Sequence, residues 1–274
     1  MIFALLGEKL DQGVLAEIKR RRPRHLRDDN FAWLNESVVS VKGGQVEHIP
    51  AVLGTRLSEY YDALVAFHGC RPISLESYQQ KGLKPSDTEA IRNQARELFG
   101  NTPELDAAIR SLQGAYENHN RGVTWLCITK ESFLQRHHEG FLLHGCEYLA
   151  ALANRIDREE MLRNRGIPTI IECVIKASEL PGDFWVSLST QMIEDWFSEF
   201  LCLRENRPVC TLCLSIKTTI LPEQIIRFHQ FKEVRHPYSW LESGKRMTSE
   251  AIKFSYLPSK APAAQTPVGT LNET

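Results

Sequence analysis

Residues 66–85 read AFHGCRPISLESYQQKGLKP, and the order of residue types in this stretch sets the architecture expected of the chain around it. An apolar run ends at His68-Gly69, Cys70 and Arg71 follow, and a segment with helical spacing stops at Gly82-Leu83. A strand that presents one imidazole and one bare glycine backbone, followed by a short helix halted by glycine, makes one wall of a small-ligand site. The flanking sequence must supply the other walls.

Upstream, residues 57–65 (LSEYYDALV) fit helix or strand by periodicity alone. Between residues 31 and 50, SVVSVKGGQVEHIP predicts a β-hairpin: a β-branched run, a Gly43-Gly44 turn and a second strand. Residues 1–22 predict an apolar start and an amphipathic helix with Leu15 and Ile18 on one side. That helix runs into Lys19, Arg20, Arg21, Arg22, Arg24 and Arg27, with His25 among them and Pro23 as a breaker. Such a cluster reads as a phosphate-binding patch for nucleic acid. The plainer reading, favoured because Asp28 and Asp29 follow at once, is a solvated helix end whose cations complement the dipole.

Downstream, Ser86-Asp87 caps a helix over 88–99, and Asn101-Thr102-Pro103 opens another through Tyr116. Residues 120–133 (NRGVTWLCITKESF) return to strand chemistry. The run His144-Gly145-Cys146-Glu147 leads into helical spacing over 148–165, so Glu147 sits at a junction. A strand is expected over 167–175, a helix over 189–200 and an alternating strand over 209–218. LPEQIIRF predicts a proline-started helical turn, and a short strand is expected over 228–233. Residues 257–274, with repeated Pro and Ala and no aromatics past Tyr256, predict a disordered tail. Several strands with helices grouped between the early and late ones predict an α+β fold rather than βαβ alternation. The expected division is 1–59 as an N-terminal helix, basic cluster and hairpin packed on the core, 60–256 as the main domain, and 257–274 as the tail.

With 274 residues, 42% hydrophobic and 24% charged, the chain can bury a substantial core. Its 33 basic and 34 acidic residues leave a net charge of -1, so no global field draws it onto nucleic acid or an anionic membrane, and any basic site is local. No apolar run approaches the roughly 20 residues needed to span a bilayer, and MIFALLGEKL is too short for a signal-peptide core. The seven cysteines are an odd number scattered along the chain, which fits a reducing compartment. A cytoplasmic location without membrane contact is expected.

Cys210-x-x-Cys213 has metal-ligand spacing, but within an apolar strand and without a second pair it predicts buried thiols. His137-His138-Glu139 and His144 project in different directions on any regular element. No metal site is expected from either. A Walker loop and a strand-linked GxGxxG are both missing, which argues against a conventional nucleotidase or dehydrogenase.

The segment from His68 to Leu83 resembles the first signature of the ADP-ribosyltransferases of the diphtheria-toxin and poly(ADP-ribose)-polymerase type. There a strand delivers His-Gly-Ser/Thr/Cys, often with Arg next, and a helix leads to Gly-Leu at the spacing seen here between His68-Gly69-Cys70-Arg71 and Gly82-Leu83. The second signature, Gly-Ile/Val-Tyr-Phe, is resembled by Gly122-Val123-Thr124-Trp125. The third, a glutamate before an aromatic, is resembled by Glu147-Tyr148. Order and separation match over about residues 60 to 235. Thr124 stands where the family has the tyrosine that stacks on nicotinamide, with Trp125 and Phe133 as the aromatic substitutes. Glu147 leads a predicted helix, where the polymerase-type members place a strand.

The resemblance implies a split antiparallel β-sheet of ADP-ribosyltransferase type with helices inserted between early and late strands. It implies NAD as co-substrate without a metal, His68 on the adenosine ribose, Gly69 on the nicotinamide carboxamide and Arg71 near the diphosphate. Thr124, Trp125 and Phe133 complete the expected NAD contacts, and Glu147 and His68 are the expected catalytic residues. The chemistry suits these residue types. Breaking the N-glycosidic bond of NAD passes through an oxocarbenium-like state, which a positioned carboxylate stabilises.

The activity expected is a mono-ADP-ribosyltransferase, a toxin or phage-defence effector, acting on a macromolecule. Nucleic acid is favoured over protein as acceptor through Lys19, Arg20, Arg21, Arg22 and Arg24, and an antitoxin or chaperone is a further expected partner. The alternatives are a degenerate module that binds NAD or ADP-ribose, or a partner, without chemistry, and an NAD glycohydrolase. Each residue also has a structural reading: His68 as a satisfied core histidine, Arg71 as a cap or surface pair, Glu147 as a helix-start residue and Trp125 as core.

Overall fold

The structure is a computed structural model; it describes residue 6 and residues 10–21, 23, 26, 31–44, 48–114, 121–133, 138–202, 212–232 and 234. The fold is α+β, as expected, with a five-stranded antiparallel sheet. Among the described residues the bounded elements begin with three helices: α1 (Gln12–Arg21), α2 (Ala32–Lys42) and α3 (Ile49–Tyr60). Strand β1 (Ala63–Cys70) follows, then α4 (Glu76–Lys81), α5 (Thr88–Phe99) and α6 (Pro103–Leu112). Strand β2 (Thr124–Cys127) leads through a 3-10 turn (Lys130–Phe133) to α7 (Glu139–His144), α8 (Glu147–Arg155) and α9 (Glu159–Arg163). Strand β3 (Thr169–Lys176), the long helix α10 (Phe184–Phe200), β4 (Cys213–Ile216) and β5 (Ile225–Gln230) complete the order.

The strands lie in the order β4-β2-β1-β3-β5. β1 pairs along its whole length with β3, from Ala63↔Lys176 to Cys70↔Thr169. Its pairing with β2 is registered at Phe67↔Cys127 alone. Alternation along β1 turns Ala66 and His68 to one face and Phe67 and Gly69 to the other. Ala66 packs with Leu126, Cys173, Ile175 and Phe184 on its side, whereas Phe67 packs with Cys127, Phe133, Leu142 and Ile170 on the other.

In the expected hairpin, the first strand (residues 37–42) is the second half of helix α2, and residues 49–50 open α3. Leu34, Ser37 and Val38 recur at helical spacing and are buried. Leu34 and Val38 join Val14, Ile18, Leu53, Leu57, Ile193 and Phe197 in one cluster, so packing against α1, α3 and α10 overrides the β preference of the valines. The glycine pair still acts as punctuation. Gly43, at φ 70°, ends the helix by donating its N–H to Val39 O (2.8 Å). Residues 45–47, meant for the second strand, lie outside the described residues, as does the tail at 257–274.

Other boundaries move by a few residues. The ambiguous 57–65 segment divides into the end of α3 and the start of β1. The helix expected over 148–165 is broken into α8 and α9 at Asp157, which adopts φ 53°. Helix α10 begins five residues before the expected start at Ser189, and β5 begins three before Phe228. In the LPEQ segment Pro222–Gln224 forms one 3-10 turn. No described helix is long and apolar enough to cross a membrane.

Candidate functional site

Three separated stretches meet through hydrogen bonds to main-chain groups. Leu83 donates its N–H to Ile220 O (2.8 Å) and accepts from Ile220 N–H (3.0 Å), closing the end of the first stretch onto the segment before β5. Gly82 is required there: at φ 70°, a Cβ would stand 2.0 Å from Ile220 O. Ser86 N–H then donates to Val123 O (3.0 Å) and Gly122 N–H to Ser86 O (3.0 Å), which draws the second stretch alongside. The third arrives through Arg71, whose guanidinium donates to Leu142 O (3.0 Å), Arg165 O (2.7 Å) and Arg163 O.

These ties enclose a cavity of about 640 Å3, within the usual range of small-molecule sites, about 300–1,000 Å3. His68, Arg71, Thr124, Trp125 and Glu147 all line it. Among the described residues on its wall, Arg71, Lys81, Lys84 and Arg165 are cationic and Glu147 is the one carboxylate. An anionic ligand is favoured by that balance.

His68 stands where β1 and β2 part, and its imidazole makes the next link: Nδ1 lies 2.9 Å from Trp125 O. A carbonyl only accepts, so Nδ1 carries the proton and Nε2 of the neutral ring is an acceptor. Burial lowers the His68 pKa from its ordinary value, and the bond to Trp125 O opposes that only in part. The ring is therefore neutral at neutral pH. Thr124 is buried, and its Oγ1 has no hydrogen-bond partner among the described residues. Glu147 is exposed at the first turn of α8, while Tyr148 beside it is buried with Leu105, Leu149 and Leu152.

The structure does not bring all the expected contacts to the cavity. Gly69 and Phe133 are absent from its wall. A Cβ on Gly69 would lie 2.6 Å from the Phe133 ring and 3.0 Å from Phe141 Cβ, so the space above Gly69 is filled by protein. Phe133 belongs to the apolar cluster on the face of the sheet opposite His68. Of the two aromatic substitutes for the missing tyrosine, Trp125 alone reaches the cavity. Arg71 lines it with three of its N–H groups already engaged on main-chain carbonyls.

Tyr78, on α4, lines the cavity and had no motif to mark it. Burial raises its pKa, and it hydrogen-bonds Cys70. Cys70 is itself pushed up to about 12 by burial, and burial also raises Cys146. Neither thiol on this wall is poised as a nucleophile.

The described members of the basic cluster, Lys19, Arg20 and Arg21, form the last turn of α1 and are engaged within the protein. Arg20 donates to both Glu17 oxygens (2.7 and 2.6 Å), Arg21 pairs with Glu17 (2.8 Å) and Glu36 (2.7 Å), and Lys19 Nζ lies 4.6 Å from the Phe200 ring centre. Arg22 and Arg24 lie outside the described residues. No family model, curated protein or solved structure matches the chain.

Proposed function

We propose that the protein is an NAD-dependent mono-ADP-ribosyltransferase. The observation that supports this most is one cavity lined by His68, Thr124, Trp125 and Glu147, from three distant stretches, with a single carboxylate among four cations. In this reading the cations hold the diphosphate. His68 Nε2 accepts a hydrogen bond from a hydroxyl of the adenosine ribose, since its other nitrogen already donates to Trp125 O. Trp125 offers the aromatic face for nicotinamide. Glu147 receives a hydrogen bond from the nicotinamide ribose and faces the developing positive charge. The C–N glycosidic bond breaks, nicotinamide leaves with the bonding pair, and the acceptor forms the new bond to the ribose carbon and loses its proton.

The acceptor in this proposal is nucleic acid, with the basic end of α1 and the residues after it as its contact. Binding to a single-stranded oligonucleotide should then weaken with salt, log K falling by roughly 0.7 per phosphate contact for each decade of salt. A flat response, or equal modification of a protein acceptor by the Arg20→Ala/Arg21→Ala variant, removes nucleic acid from the reading.

Labelled NAD incubated with the protein and a cell lysate tests the activity, with His68→Ala and Glu147→Gln alongside. Label on macromolecules that disappears in Glu147→Gln supports the transferase. Free ADP-ribose without labelled macromolecules makes the protein a glycohydrolase. NAD bound without turnover makes it a binding module.

A further inference from the structure

On the face of the sheet opposite His68, Cys127 of β2 is directly paired with Cys213 of β4. Their sulfurs are 3.3 Å apart, and His138 Nε2, in the turn before α7, is 3.5 Å from Cys213 Sγ. The three ligand atoms all lie within 4.8 Å of one another. We propose that Cys127, His138 and Cys213 form a binding site for a divalent cation of the zinc class, with solvent as the fourth ligand.

The geometry and the donor set both favour this occupant. A tetrahedral ion with Zn–S of about 2.3 Å and Zn–N of about 2.0 to 2.1 Å holds its ligand atoms roughly 3.5 to 3.8 Å apart. The separations of 3.3 and 3.5 Å need little adjustment to reach that. A disulfide, by contrast, needs the sulfurs at about 2.0 Å. Two sulfurs and one imidazole nitrogen select a soft or borderline metal over magnesium or calcium.

Phe133, Leu142, Ile170 and Phe231 surround the group, and Phe67 and Phe141 pack at its edge. An ion held there ties β2, β4 and the turn before α7 into one unit. Helix α7 supplies Leu142 O to Arg71 and Phe141 to the cavity wall, so the ion would brace that wall from behind. The site does not depend on the proposed transferase activity, and its test reads the metal directly.

The full chain, reduced and stripped with a chelator, is titrated with Co2+ as the probe. The result expected is one equivalent bound with sulfur-to-cobalt charge-transfer absorption in the near ultraviolet, displaced by Zn2+. Cys213→Ser and His138→Gln should each weaken Zn2+ binding by more than the about 10- to 100-fold that loss of an outer ligand partner costs. Cys70→Ser, a buried thiol outside the group, should leave the absorption unchanged. Absence of the absorption in the parent overturns the proposal whatever the variants do. So does absorption that survives in Cys213→Ser, or a Cys127–Cys213 disulfide in protein purified without reductant.

Discussion

Thr124 buries a hydroxyl with no described hydrogen-bond partner at the wall of the cavity. An unsatisfied buried group of this kind costs about 1–3 kcal/mol, so Thr124→Val should hold or raise stability in urea unfolding. If the hydroxyl meets NAD, the same variant lowers NAD affinity by isothermal calorimetry, which separates a ligand contact from a packing residue. Gly69 carries the opposite expectation. Its missing Cβ is replaced by the Phe133 ring, so Gly69→Ala should cost about 1–3 kcal/mol by overpacking. His68 is the residue to track with pH. Its folded pKa lies below the ordinary imidazole value of 6.5, so the unfolded chain takes up its proton first as pH falls. The contribution is fully present above that value and lost as pH drops from it toward the folded pKa. Urea midpoints measured across this window should fall in the parent and flatten in His68→Gln.

Helix α2 shows how local preference and packing divide the decision within one element. SVVSVK is β-branched enough to read as a strand, yet Val38 is 3% exposed while Val39 and Val41 are 40% and 42% exposed. A strand would also put Val39 and Val41 opposite Val38, but it would turn Ser37 to their exposed side, whereas Ser37 is buried beside Leu34 and Val38 as a helix requires. Leu34→Ala should therefore cost about 2–5 kcal/mol in denaturant unfolding, and Val39→Ala or Val41→Ala should stay within about 0.5 kcal/mol. Helix α5 was legible outright because its signal is local: Asp87 Oδ1 accepts from Glu89 N–H (3.0 Å) and Ala90 N–H (3.3 Å). Removing that cap in Asp87→Ala should cost about 0.5–2 kcal/mol, read from the melting temperature.

At the scale of the whole molecule, the N-terminal helices are not separable from α10. Leu34, Leu53 and Leu57 share one buried cluster with Ile193, Phe197 and Leu201 of the α10 region. A chain begun at residue 60 exposes that face of α10 and should melt at a lower temperature than the full chain, as calorimetry would show.

Caps, glycine stops and apolar period identified α5, α6, β1 and β3 from the sequence, because each signal lies within a few residues of the element it controls. The resemblance to the ADP-ribosyltransferase signatures put His68, Gly69, Arg71, Thr124, Trp125, Phe133 and Glu147 forward, and the cavity is lined by all of them but Gly69 and Phe133. What tertiary structure decided is whatever depends on which distant surfaces meet. The valines of α2 became helical because a helical core was there to receive them. Phe133 went to the far face of the sheet because Gly69 left room for its ring. Cys127 and Cys213, 86 residues apart in the chain, met through the register of β2 on β4. A strand's register depends on the faces it buries, and no local run of residues records the partner that will lie opposite.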